Sequence, residues 1–218
     1  MESQLKCIVR IATSGDHQYA TEIANEMAYS AAKRGTHVEP RTSDFVRKKM
    51  DAGLAVIAIN PETKEWTGFC YLEVWQHKKF VANSGLIVSP EYRGMGISTG
   101  IKTALFKLCR EKFPCAKILS LTTSPAVMHV NTELGYKIVP YSTVLKDKLF
   151  LKGCNSWVNF TGLMNDNHST SHHIAMLYDP LSNAEKPASL PAGEYLLNKV
   201  KSTWRKKEAQ IAVEHAVV

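Results

Sequence analysis

Apolar residues along this chain recur at every second position in some stretches and at every third or fourth in others, and the changes of period mark the elements. Residues 5–12 (LKCIVRIA) are rich in β-branched side chains and read as a strand ended by Ser14-Gly15-Asp16. Asp16 is suited to cap a helix running to about Arg34, with Ala20, Ile23, Met27 and Ala31 on one stripe and Gly35 closing it. Ser43 is a candidate cap for a short helix carrying Phe45, Val46 and Met50. Strand-like runs follow at 54–59, 67–76 and 80–88, separated by Asn60-Pro61-Glu62 and His77-Lys78-Lys79, which predicts antiparallel neighbours.

The period then lengthens. Residues 97–112 carry Ile101, Leu105 and Leu108 at helical spacing, with Pro114 just beyond. A short apolar strand at 118–122, a helix at 126–134 stopped by Gly135, and a strand at 136–141 come next. The stretch 142–173 gives no clear period, and 174–178 reads as a final strand. Strands flanking helices in this order imply crossover units, so the expected class is α+β, with a mixed, mostly antiparallel sheet flanked by helices. The chain divides into a domain at 1–180 and an appendage at 181–218: a polar linker containing Pro187 and Pro191, then a basic amphipathic helix at 194–214. That helix is expected to pack on the domain or on a second subunit, so a homodimer is one expectation.

Composition narrows the class only modestly. With 44% hydrophobic and 22% charged residues the balance is that of a globular protein. Neither a membrane-spanning run nor a leader pattern is present, which points to a cytoplasmic protein without a membrane partner. The net charge of +7 gathers partly in Arg41, Arg47, Lys48 and Lys49 and partly near the C-terminus. Neither group is interleaved with aromatics on a nucleic-acid module, so anionic small ligands account for it and no nucleic-acid partner is expected. The five scattered cysteines, and His168, His172 and His173, match no ligand spacing, and no metal is expected.

The stretch with chemical content is Leu86-Ile87-Val88-Ser89-Pro90-Glu91-Tyr92-Arg93-Gly94-Met95-Gly96-Ile97-Ser98, a strand entering a glycine-containing turn and a helix. Free backbone N–H groups at such a helix start, together with the positive end of its dipole, favour phosphate. Gly94 and Gly96 keep side chains away from the main chain, and Arg93 adds a cation. The lysine and spacing of a nucleotide-triphosphate loop are missing.

These residues resemble the signature of the GNAT acetyltransferase superfamily: arginine or glutamine, two residues, glycine, one residue, then glycine or alanine. Here Ser98 holds the last place. The resemblance continues through the strand at 86–88, the strand at 118–122 and Glu133-Leu134-Gly135-Tyr136. It implies acetyl-CoA as acyl donor, with backbone groups of Ile87 and Val88 pairing with the pantetheine arm. The loop Arg93, Gly94, Met95, Gly96, Ile97 and Ser98 would hold the pyrophosphate. The implied function is acetyl transfer to a primary amine of a small molecule. A fainter resemblance to stand-alone acetyltransferases of arginine biosynthesis, on residues 83–88, 152–154 and 176–180, suggests the α-amine of glutamate. A protein or peptide acetyltransferase and a non-catalytic acyl-CoA sensor are the rival readings.

The family commonly places a tyrosine general acid four residues before the glycine of Leu-Gly-Tyr, and here that slot holds Asn131. An amide can donate a hydrogen bond but cannot deliver a proton. Candidate substitutes are Tyr136, Tyr141, Cys154 or a water held by Thr123, Ser124 and Asn131. Glu73, on the strand before the signature, is the candidate base acting through water, with His129 a second. Arg41, Lys48 and Cys154 are candidate acceptor-binding residues, with Trp157 near the last of these.

Overall fold

The computed structural model describes residues 7–33, 41–75, 78–140 and 174–182. In chain order the elements are β1 (Ile8–Ile11), α1 (Ala20–Lys33), α2 (Ser43–Asp51), β2 (Ala55–Ile59), β3 (Trp66–Trp75), β4 (Phe80–Val88), α3 (Ile97–Lys112), β5 (Lys117–Thr122), α4 (Pro125–Glu133), β6 (Lys137–Ile138) and β7 (Ile174–Tyr178). The seven strands form one open sheet in the order β1-β2-β3-β4-β5-β7-β6. Only β4 and β5 pair in parallel; every other neighbouring pair is antiparallel.

Helices cover both faces. On one, Ile23 of α1 and Val46 and Met50 of α2 pack on Ile57, Phe69 and Ile87. On the other, Ile97, Ile101 and Leu105 of α3 and Met128 of α4 pack on Val56, Leu72, Val81 and Ile118. All five residues of β2 are buried, as expected for a central strand covered on both sides. The crossover from β4 through α3 to β5 makes the parallel pair, while β7 inserts between β5 and β6 from far along the chain. Nothing in the local pattern of 118–138 announces that insertion.

Three local expectations need correction. Asp16 does not cap α1: it closes a 3-10 turn over Ser14–Tyr19, and its carboxylate takes two 2.7 Å bonds from Arg10 and one of 2.8 Å from the Thr13 N–H. The paired bonds to Arg10, six residues back on β1, outcompete the helix end. Thr42 rather than Ser43 caps α2, accepting from the Phe45 N–H at 3.2 Å. Of the strand expected at 136–141, the described residues form Lys137–Ile138; its start is delayed because Tyr136 is buried against the α3 face and bonds to Asn83 instead. The appendage expected beyond residue 182 lies outside the described residues.

Candidate active site

The sheet opens where β4 and β5 part. Their last parallel partners are Ala82 and Leu119, so Asn83 and Ser120 are the first opposed residues beyond the ladder. From there to Val88 the edge of β4 that faces β5 has no strand partner among the described residues. The parting coincides with a bulge: Phe69 opposes Ile87 but Tyr71 opposes Ser84, so β4 carries one extra residue there. Gly85 is the residue that allows it. Its φ is +65°, and an added Cβ would collide with the Tyr71 ring.

Beyond the open edge, β4 ends in a short 3-10 turn over Pro90–Tyr92 and the loop that enters α3. Gly94 and Gly96 have φ of +81° and +75°, and a Cβ at either would meet open space. Among the described residues, the N–H groups from Gly94 to Ser98 meet no protein acceptor. Amides without a protein acceptor at the positive end of a sixteen-residue helix suit an anion.

Side chains on both flanks hold this loop. The Tyr92 hydroxyl donates to Glu65 at 2.6 Å and accepts from the Asn60 amide at 3.3 Å. The Arg93 guanidinium is turned toward α1, donating to Glu26 at 2.6 Å, to Ser30 at 3.1 Å and to the Val88 carbonyl at 3.1 Å. Its charge thus meets the Glu26 carboxylate, and its visible contribution is to fix the loop's position. Glu26, Ser30, Asn60 and Glu65 carry no local signal for this work, because every one of these bonds spans a long sequence interval.

Polar side chains flank the fork on the α3 face. The Asn83 amide donates to the Tyr136 hydroxyl at 2.9 Å, and the Asn131 amide donates to the Ser120 hydroxyl at 3.0 Å. Asn131 is fully buried and also reaches the Met176 sulfur at 3.6 Å, so it ties α4 to β5 and β7. On this face the side-chain oxygens of Asn83 and Asn131 are buried with no partner among the described residues, and so is that of Ser84, which shares the other face with Tyr71. Buried acceptors without partners are costly unless a ligand or water completes them. Burial pushes the Tyr136 phenol well above its ordinary pKa, with the Asn83 bond pulling the other way, so the group keeps its proton.

On the opposite face, α2 and β3 assemble a second cluster. Lys49 donates to Glu73 at 2.6 Å and to the Leu72 carbonyl at 3.2 Å. Arg41 lies over the Phe45 ring at 4.7 Å and interacts with Tyr71, while its buried Nε has no partner among the described residues. Tyr71 packs edge-on against Phe45, and burial pushes its phenol up to about 12 against the opposing pull of Arg41. The inward cation of α2 is therefore Lys49; Lys48 sits on the exposed side of the helix. His129 is also exposed, 3.3 Å from Glu133 on the outer side of α4. Tyr141, Cys154 and Trp157 lie outside the described residues, as do His168, His172 and His173. Among the described residues no group of histidine, cysteine and acidic side chains could hold a metal ion, and no helix is long and apolar enough to cross a membrane.

The geometry is that of a known fold. The model of the acetyltransferase (GNAT) family matches residues 20–136, more than half of the chain, and the chain belongs to that family. It is accordingly an acyl-CoA-dependent N-acyltransferase. By sequence alone it matches no curated protein. Among solved structures it is similar to Rv2747 from Mycobacterium tuberculosis in complex with CoA, at 15% identity and a TM-score of 0.59, covering 79% of this chain and 98% of that one. It is also similar to a phosphinothricin acetyltransferase from Sinorhizobium meliloti in complex with acetyl-CoA, at 18% identity and 0.54, covering 84% and 94%. N-acetylglutamate synthase from Neisseria gonorrhoeae, complexed with coenzyme A and N-acetyl-glutamate, matches at 12% identity and 0.55; the shared region is 80% of this chain but 35% of that one.

The residues present fit acetyl-CoA as donor. The free amides of 94–98 and the open space beside Gly94 and Gly96 suit a pyrophosphate. The unpartnered edge of β4 suits the amide-bearing pantetheine arm, which can pair as a strand would. The bound donor supplies an activated acyl group on a thioester.

Proposed function

We propose that the protein acetylates the amine of a small, carboxylate-bearing acceptor, with the α-amine of glutamate as the first candidate. The observation that carries this is the cationic cluster on the α2 face. Arg41 offers a buried nitrogen with no partner among the described residues, and Lys49 lies 2.6 Å from Glu73 on the same face. A guanidinium with an unmet donor next to aromatic walls is suited to binding a carboxylate, and Lys48 at the rim adds long-range attraction. The same fold accommodates N-acetyl-glutamate in the Neisseria protein.

In this reading Glu73 takes the proton from the attacking amine through a water, and the loop from Arg93 to Ser98 holds the donor. Backbone groups at Ile87 and Val88 align the pantetheine arm. Asn131 braces the wall of the fork, its amide engaged with Ser120. Proton delivery to the departing sulfur falls to Tyr136. Its hydroxyl stands at the fork, accepts from Asn83, and has no acceptor for its own proton among the described residues. Tyr141 and Cys154 complete the set of residues assigned to acid and acceptor roles.

An acceptor panel with acetyl-CoA tests the reading. Thiol release should be fastest with glutamate or a related amino acid and at least about tenfold slower with alkylamines of similar length, the value of one charge-assisted contact. Equal rates with carboxylated and uncharged amines would remove the carboxylate assignment, and no release with glutamate would remove glutamate.

A further inference from the structure

A buried lysine stands behind the fork without a role in that scheme. Lys102 lies on the sheet-facing side of α3 and is only 2% exposed. No acceptor among the described residues takes a hydrogen bond from its ammonium, and no carboxylate pairs with it. Its surroundings are the Cys70 thiol from β3 and the ring of Tyr136, whose centroid is 5.8 Å from the ammonium nitrogen. Cys70 itself donates to the Ser84 carbonyl at 3.2 Å, so it cannot serve as counter-ion.

The other elements packed there bring little charge. β4 presents the neutral Asn83, and β7 brings Tyr178 beside Tyr136 with Arg110 over its ring at 5.2 Å. α3 itself adds Cys109, whose thiol burial pushes up to about 12, and Arg110, whose buried Nη1 has no partner among the described residues. The ionisable side chains His129 and Glu133 of α4 are paired on its outer side, and β1 and β2 place no ionisable group on this face of the core. Burial draws Lys102 down to about 8, opposed by Cys70. A methionine or leucine would fill the same space without the desolvation cost of an ammonium.

A buried cation kept against that cost points to an anion that exists only during turnover. Resting on the assignment of Tyr136 as acid, we propose that Lys102 is a positioning residue for thiolate protonation. Its ammonium, set over the Tyr136 ring, favours the negative charge that forms on the sulfur and on the phenol oxygen as the proton passes. The step balances: the C–N bond forms, the C–S bond breaks, the amine loses its proton to Glu73 through water, and the sulfur gains the Tyr136 proton. Tyr136 then recovers a proton from solvent.

Lys102→Met, Lys102→Arg and Tyr136→Phe, each in the full chain, test this with two readouts: the pH profile of kcat and the ultraviolet titration of the thiol of bound CoA. Lys102→Met should lower kcat by about tenfold to a hundredfold, leave KM for acetyl-CoA within about twofold, and raise the pKa of the bound thiol by about one unit. It should also lose an alkaline decline in kcat near pH 8 that the wild type shows, and Lys102→Arg should restore kcat and move that decline to higher pH. Wild-type kcat and an unshifted thiol titration in Lys102→Met, beside an impaired Tyr136→Phe, overturn the role of Lys102 alone. If Tyr136→Phe is also unimpaired, the acid assignment fails with it. Faster turnover of succinyl-CoA than acetyl-CoA in the wild type, lost in Lys102→Met, would give the cation to an acyl carboxylate and overturn the proposal.

Discussion

Burial lowers the Lys102 pKa to about 8 from the ordinary 10.5, so the folded chain holds that proton less tightly than the unfolded chain does. Between those two values the unfolded state binds more protons, and stability rises with pH across that window. Below pH 8 both states carry the charge and the full desolvation cost applies. Lys102→Met should therefore stabilise the protein at pH 7, by up to about 3 kcal/mol if the whole shift is realised, with the gain shrinking as pH rises from 8 toward 10.5. Urea denaturation of wild type and variant at pH 7 and pH 10 measures this. A gain in stability coupled to a loss of kcat marks a residue retained for chemistry rather than for packing. A loss of stability at pH 7 would mean that the ammonium has a partner that offsets its burial.

Among the elements, the loop between β4 and α3 is held from both sides before any donor arrives. Arg93 reaches Glu26 and Ser30 on α1, and Tyr92 reaches Glu65 and Asn60 beyond β2. Removing either partner of the Arg93–Glu26 pair should loosen the cradle in the same way. Arg93→Ala and Glu26→Gln are each expected to weaken acetyl-CoA binding by about fivefold to thirtyfold, with kcat little changed; calorimetric titration checks both. A loss confined to Arg93→Ala would show instead that the guanidinium acts on the phosphates directly.

The same elements show what could be read in the chain beforehand. The loop was legible because its chemistry is local: two glycines, a helix start and a preceding strand fall within thirteen residues. The strands and helices around it were legible from their periods, and the bounds of β4, α3 and β7 agree with the pattern residue for residue. Long-range partners were not. Nothing near Lys49 says that it faces Glu73 while Lys48 faces outward, and nothing around Gly85 shows the Tyr71 ring against it. Lys102 was invisible for a further reason: a lysine among helical apolar positions reads as a stem lying along the surface.

Across the whole molecule, the fork joins two chemically different faces. The donor cradle and the Asn83–Tyr136 pair belong to the α3 side, whereas Arg41, Lys49 and Glu73 belong to the α2 side, and the parting of β4 from β5 is the opening between them. An acyl group held at that opening can meet an amine arriving from the other face, which is what transfer requires. The most direct measurement is acetyl-CoA-dependent thiol release with a carboxylated amine, followed together with mass-spectrometric detection of the acetylated product. The account predicts one thiol released per acceptor acetylated. Tight CoA binding with no thiol release on any amine would contradict it and leave a protein that binds the donor without using it.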